Sequence, residues 1–227
     1  MSVGDNLDGV RAEIEIAAKA RGRDPKEIKL VAVSKTVSPE LIAEAIAAGA
    51  DTLGENRVQE ALAKQDLLPK VSWHLIGHLQ TNKVRQVIGR FDLVHSLDRL
   101  RLAQELGRRS KAAGLVTPTL VQVNVGQEDT KGGVAPGEVL SFVEQARQVE
   151  GIKIMGLMAI PPFCEDPQSS RPYFQKLAKL FAQVAAEGWP QVEMKWLSMG
   201  MSSDFQVAIE EGANMVRVGT GIFGPRH

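Results

Sequence analysis

The sequence predicts an α/β fold: a single (β/α)8 barrel of the TIM type spanning residues 1–227, with one extra helix at its N-terminus. Three observations carry that expectation. Short apolar runs alternate with helical patterns eight times along the chain, the rhythm of β/α units rather than of hairpins. Most of the runs are apolar throughout, as parallel strands covered on both faces are. The turn after the first run, "VSKTVSPE", has no glycine, whereas an open dinucleotide-binding sheet needs G-x-G-x-x-G there.

The N-terminal stretch "MSVGDNLDGVRAEIEIAAKARGR" reads as an amphipathic helix, with Val10, Ile14 and Ala17 or Ala18 on one side. It has no apolar core of the kind a signal peptide carries. Strands are expected over 28–34, 52–54, 73–77, 93–95, 119–125, 152–160, 194–199 and 215–219. Helices are expected between them over 39–48, 57–64, 82–89, 99–113, 136–150, 172–187 and 203–211. The first of these opens with Ser38 as N-cap and Pro39 at the first position, and stops at Gly49. Two helix-to-strand joints, "AIAAGADTLG" and "AIEEGANMVRVG", are nearly the same phrase, each ending its helix at a glycine.

Composition removes several classes of function. Lys+Arg 27 against Asp+Glu 27 leaves no net charge, which argues against a nucleic-acid partner. No apolar run is long enough to cross a membrane. The single cysteine, Cys164, excludes an intrachain disulfide and a cysteine zinc cluster, and the chain is expected to be cytosolic. His74 and His78 stand four apart across a strand-to-loop junction, without helical geometry or a carboxylate motif, so no metal is expected.

The unusual residues fall at one end of the expected strands, where barrels keep their chemistry. "LVAVSKT" ends strand one on Lys35, which is either the point where the strand meets water or an amine at the rim of a pocket, able to attack a carbonyl. "GEN" ends strand two at Asn56, "GLMAIP" ends strand six after Met158, and "LSMGMSSD" ends strand seven. Ser198, Gly200, Ser202 and Ser203, together with Gly219, Thr220 and Gly221 after strand eight, supply the small residues, backbone N–H groups and hydroxyls that a phosphate needs. For Ser202 and Ser203 a helix cap is an equal reading. His95, closing strand four, either lines the mouth or is a satisfied rim histidine. Arg217 lies between Val216 and Val218. If the valines face the helices, the arginine points into the barrel, paired there with a carboxylate or placed against a ligand. A carbonyl-trapping lysine opposite a phosphate cup suggests pyridoxal 5′-phosphate, and a permanent cation at the ring nitrogen would leave that nitrogen unprotonated and the ring a weak electron sink. A racemase and a Schiff-base aldolase acting on a sugar phosphate are the enzymatic alternatives.

"AVSKT", "GENRVQEAL", "WHLIGHLQTNK", "VNVGQEDTKGG", "GLMAIPP" and "LSMGMSSDFQVAIEEGANMVRVGTGIFG" together resemble the pyridoxal phosphate homeostasis protein family, in order and over nearly the whole chain. The resemblance implies a barrel like the N-terminal domain of alanine racemase. It implies Lys35 as the aldimine lysine; Lys83 and Lys131, both in rim loops, are the first lysines to compare with it. Ser198, Gly219 and Thr220 match phosphate positions, and Arg217 matches the residue at the pyridine nitrogen. Asn56 and Met158 lie in motifs near the cofactor, and Arg57 stands where many members have tyrosine. Two-base racemisation would lack its second base, because the only tyrosine, Tyr173, opens a peripheral helix and the chain ends at "GIFGPRH". The expectation is therefore a monomeric cofactor-binding protein of vitamin B6 and amino-acid balance. Its partners would be pyridoxal phosphate and apo-enzymes that receive it, with no membrane and no nucleic acid.

Overall fold

The computed structural model describes residues 2–128 and 132–225. Among them, eight parallel strands close into one barrel in sequence order, the last pairing with the first. These are β1 (Lys29–Val33), β2 (Thr52–Glu55), β3 (Ser72–Leu75), β4 (Leu93–Leu97), β5 (Thr117–Gln122), β6 (Ile152–Met158), β7 (Val192–Ser198) and β8 (Met215–Val218). Around them run α1 (Val3–Lys19), α2 (Pro39–Ala47), α3 (Val58–Gln65), α4 (Val84–Val87), α5 (Leu100–Ala112), α6 (Val139–Ala146), α7 (Arg171–Ala186), α8 (Phe205–Glu210) and α9 (Thr220–Phe223).

The extra helix α1 starts at a capping box, Ser2 and Asp5 each bonding the other's backbone N–H. It buries Val3, Leu7, Val10, Ile14, Ala17 and Ala18, a wider stripe than the sequence suggested, against α2, α8 and α9. At about 1.5–3 kcal/mol for each large aliphatic removed from water, that stripe holds α1 in place.

Two expected helices are shorter. The stretch 82–89 is a 3-10 turn, Thr81–Lys83, followed by the single turn α4. The stretch 136–150 opens as a 3-10 turn, and its helix ends at Ala146. Beyond it Val149 and Glu150 press onto Gly107 of α5, where an added Cβ would lie 2.4 Å from the Glu150 carbonyl. Strand β6 ends at Met158, two residues early, because prolines at 161 and 162 follow. Strand β5 stops at Gln122, and Val123 makes only an isolated bridge to Val134. Ser38 stands at the N-cap of α2, but its side chain makes no capping bond.

Period-two alternation sorts the strands into two cores. Val216 and Val218 belong to the large core shared with the helices, while Met215 joins Val31, Leu93, Leu120 and Met158 in a separate interior cluster. Arg217 therefore shares the interior with Met215. No helix of the described residues is long and apolar enough to cross a membrane.

Candidate cofactor site

At the C-terminal ends of the strands the barrel opens into a cavity of about 750 Å³. Lys35 enters it just past β1, and Asn56 just past β2. The far side is made by Ser202, Ser203, Arg217, Gly219 and Thr220, from the ends of β7 and β8.

Lys35 sits in a turn of unusual shape. Thr36 holds φ +61°, the left-handed region that a β-branched residue rarely enters. Its N–H donates to Glu60 Oε1 at 2.5 Å, and the Val37 N–H closes back on the Ser34 carbonyl at 3.0 Å. The chain thus turns off toward α2 while the Lys35 side chain stays over the mouth.

Opposite, the alternatives left open for Ser202 are resolved. The N-cap of α8 is Asp204, which accepts the Met201 N–H at 2.7 Å. The Ser202 hydroxyl instead accepts the N–H groups of Gly219 and Gly221, at 3.2 and 3.3 Å. Two backbone donors therefore converge on one oxygen at the edge of the cavity, the arrangement a ligand oxyanion would also use.

Arg217, also on the far side, is 3% exposed. Its two terminal nitrogens donate to Ser198 Oγ at 2.7 Å and to the Ala159 carbonyl at 2.9 Å. No carboxylate of the described residues forms an ion pair with it, so the carboxylate-paired alternative falls away. Burial brings its pKa down to about 10, partly offset by the more distant Asp204 carboxylate, and the guanidinium stays charged at neutral pH. Below it a polar line continues: Ser198 Oγ to His95 Nδ1 at 3.2 Å, and His95 Nε2 to His74 Nδ1 at 3.1 Å. Arg217 can only donate, so the line is consistent when Ser198 donates to His95 and His95 to His74. Both histidines are then neutral, as burial requires: it pushes His74 to about 4 and His95 well below its usual value.

The cavity brings together Lys35, Asn56, Arg217, Gly219 and Thr220 from the expected set. Three expected residues stand outside its lining. Ser198, expected at the phosphate, is fully buried beneath Arg217, and its hydroxyl accepts from the guanidinium. Met158 is fully buried in the interior cluster. Gly200 holds φ +91°, and a Cβ there would lie 2.8 Å from the Phe205 Cα; its role is to let β7 turn into the cup. His95 is likewise interior, neither at the rim nor on the mouth. His74 and His78 part company, His78 standing at the mouth 3.4 Å from Asp98, and no metal-ligating cluster occurs among the described residues. Lys83 lines a neighbouring cleft with Arg57, and Lys131 lies outside the described residues. Gln122 and Ile160 line the mouth without having been singled out. A polar residue ending the apolar run of β5 was the available signal for Gln122.

An amine, a buried guanidinium and paired backbone donors around one mouth define the class: a barrel with a carbonyl-and-anion site at the C-terminal ends of its strands. The family model described as alanine racemase, N-terminal domain, matches residues 6–227. The chain is 45% identical over 228 residues to the pyridoxal phosphate homeostasis protein of Aquifex aeolicus (strain VF5), covering 100% of this chain and 99% of that protein. It is 40% identical over 227 residues to the protein of the same description from Pseudomonas aeruginosa, covering 99% and 96%. The solved structure of PipY from Synechococcus elongatus PCC7942 with PLP bound matches with a TM-score of 0.81 at 37% identity, covering 93% of this chain and 100% of that one. The chain belongs to the alanine racemase N-terminal-domain family and, within it, to the pyridoxal phosphate homeostasis proteins.

Proposed function

We propose that this protein holds pyridoxal 5′-phosphate in the barrel mouth, attached through Lys35, and serves vitamin B6 and amino-acid balance by keeping and releasing it. The observation that carries the reading is the pairing, around one cavity, of the Lys35 amine with the buried Arg217, which no carboxylate of the described residues pairs, and the Gly219 and Gly221 donors at its edge. The residues suit the group. Two backbone donors now satisfied by the Ser202 hydroxyl fit a phosphate oxygen, and Thr220 and Ser202 add hydroxyls to it. When bound, the cofactor supplies an aldehyde, which condenses with a primary amine and releases water. Arg217, a donor with no proton acceptor, would face the ring nitrogen and leave it unprotonated. Ser198 and Ala159 hold the guanidinium in that position.

Amino-acid turnover is not part of this reading. Tyr173 stands in α7, packed on the helix-side core and outside the cavity lining, so it offers no second base at the mouth. The single cysteine suits a reducing compartment, and the reading places the protein in the cytoplasm as a monomer, with apo-enzymes as recipients of the cofactor. The test is the purified protein loaded with pyridoxal phosphate and treated with borohydride. A visible absorbance band that bleaches, with the reduced adduct mapped by mass spectrometry to Lys35, is the expected result. An adduct at Lys83 or Lys131 in place of Lys35 would overturn the site. A reducible adduct formed with a sugar phosphate, and no band with pyridoxal phosphate, would favour an aldolase.

A further inference from the structure

We infer that Glu55, Glu60 and Lys64 form a clamp that positions Lys35, acting on the residues before and after it without touching the mouth. The inference rests on the reading of Lys35 as the attachment point.

The clamp is built around one ammonium. Lys64 Nζ donates to the Ser34 carbonyl at 2.7 Å, to Glu55 Oε1 at 2.8 Å and to Glu60 Oε1 at 2.7 Å, so its three protons are all used. The Ser34 hydroxyl donates to the same Glu55 oxygen at 2.6 Å. Glu60 Oε1 in turn accepts the Thr36 N–H. Ser34 is thereby held through its carbonyl and its hydroxyl, and Thr36 through its amide. Lys35, between them, is the one residue of the turn whose side chain is left to the cavity. None of the three clamp residues lines that cavity.

Two independent observations ask for more than fold stability. Thr36 keeps a strained left-handed φ, and such conformations persist where the surroundings over-determine them. Glu55 is fully buried and its second oxygen, Oε2, has no hydrogen-bond partner among the described residues. A buried ion pair with an orphaned oxygen stabilises a fold poorly compared with apolar packing. The two carboxyls are shifted in opposite directions. Burial raises the Glu55 carboxyl despite Lys64. Burial alone would also raise Glu60, but its bonds to Lys64 and to the Thr36 N–H bring it below the usual range.

Positioning and mere structural support separate in a comparison of two ligands. Pyridoxal 5′-phosphate needs the Lys35 amine, whereas pyridoxine 5′-phosphate, which has no aldehyde, needs only the cup and Arg217. In Glu60→Ala the rate of borohydride-fixable adduct at Lys35 should fall roughly tenfold, the scale expected when a reacting group is slightly misplaced. Pyridoxine 5′-phosphate affinity by calorimetry should stay within about twofold, since none of its contacts is removed. Glu60→Gln keeps an oxygen for the Thr36 N–H and should recover most of the rate. In a Thr36→Gly background, where the turn is no longer strained, Glu60→Ala should lose most of its effect. Parallel loss of both ligands, or an unchanged adduct rate in Glu60→Ala, overturns the clamp. Failure of the wild-type protein to form the adduct at Lys35 overturns the attachment reading instead, so the two failures are told apart.

Discussion

The two sides of the mouth are made of different materials. On the β1–β2 side a single reactive side chain stands on a turn held by two glutamates, a lysine and a strained residue. On the β7–β8 side the donors are backbone N–H groups and hydroxyls, arranged by glycines and satisfied by Ser202. A side chain that must meet one carbon atom is useful only if its backbone is fixed, because four rotatable bonds already blur its position. An anion can be met by several donors at once, so no single one needs that control. The difference predicts that losing the one reactive side chain of the first side will be all-or-none, whereas losing any one donor of the second will be graded.

The largest effect should come from Lys35→Ala, which leaves the cup untouched. Complete loss of the visible band and of the borohydride adduct is expected, with pyridoxine 5′-phosphate still binding. A residual adduct at one other lysine would mean that the reactive side has been misplaced.

Graded loss is expected opposite. Ser202→Ala with Thr220→Ala removes two hydroxyl donors while leaving the N–H groups of Gly219 and Gly221. With charge-assisted bonds worth about 1.5–3 kcal/mol each, affinity for the phosphorylated cofactor should fall on the order of tenfold or more. The direct measure is the ratio of pyridoxal phosphate to pyridoxal affinity in the variant and the wild type. A wild type that binds the two equally would remove the cup from the comparison.

A smaller effect distinguishes the second side by its foundation, the line Arg217–Ser198–His95–His74. Both histidines have folded pKa values below the ordinary 6.5, so in the acid range the unfolded chain binds more protons than the folded one. Stability should therefore fall as pH drops below about 6.5, by on the order of 1.4 kcal/mol per pH unit for each histidine, until folded His74 itself titrates at about 4. Urea midpoints between pH 7.5 and 5 measure this, and His74→Gln should flatten the slope. A His74→Gln protein as acid-sensitive as the wild type would show that the line is not what acid attacks.

Much of this architecture was legible in advance. Continuous apolar runs, a glycine-free first turn and polar clusters at one end of most strands specify a closed parallel barrel and its working face, because burial on both sides and the C-terminal rim leave direct marks on local sequence. Arg217 could be turned inward from two flanking valines alone. "LSMGMSS" shows where such reasoning stops. Period-two alternation would relate Ser198, Gly200 and Ser202 to one face, yet Gly200 at φ +91° breaks the alternation, sending one hydroxyl under the guanidinium and the other to the cup.

The clamp marks the same boundary. That Glu60 and Lys64 meet was readable from their i, i+4 spacing on a helix. That they close on Glu55 and on both neighbours of Lys35 was not, since those partners are brought together only when β1, β2 and α3 pack. The chain by itself determined which residue types stand at which strand ends, through periodicities that act over a few residues. Tertiary structure alone decided which oxygen faces which proton, because that depends on backbone turns and strand packing that no local period encodes.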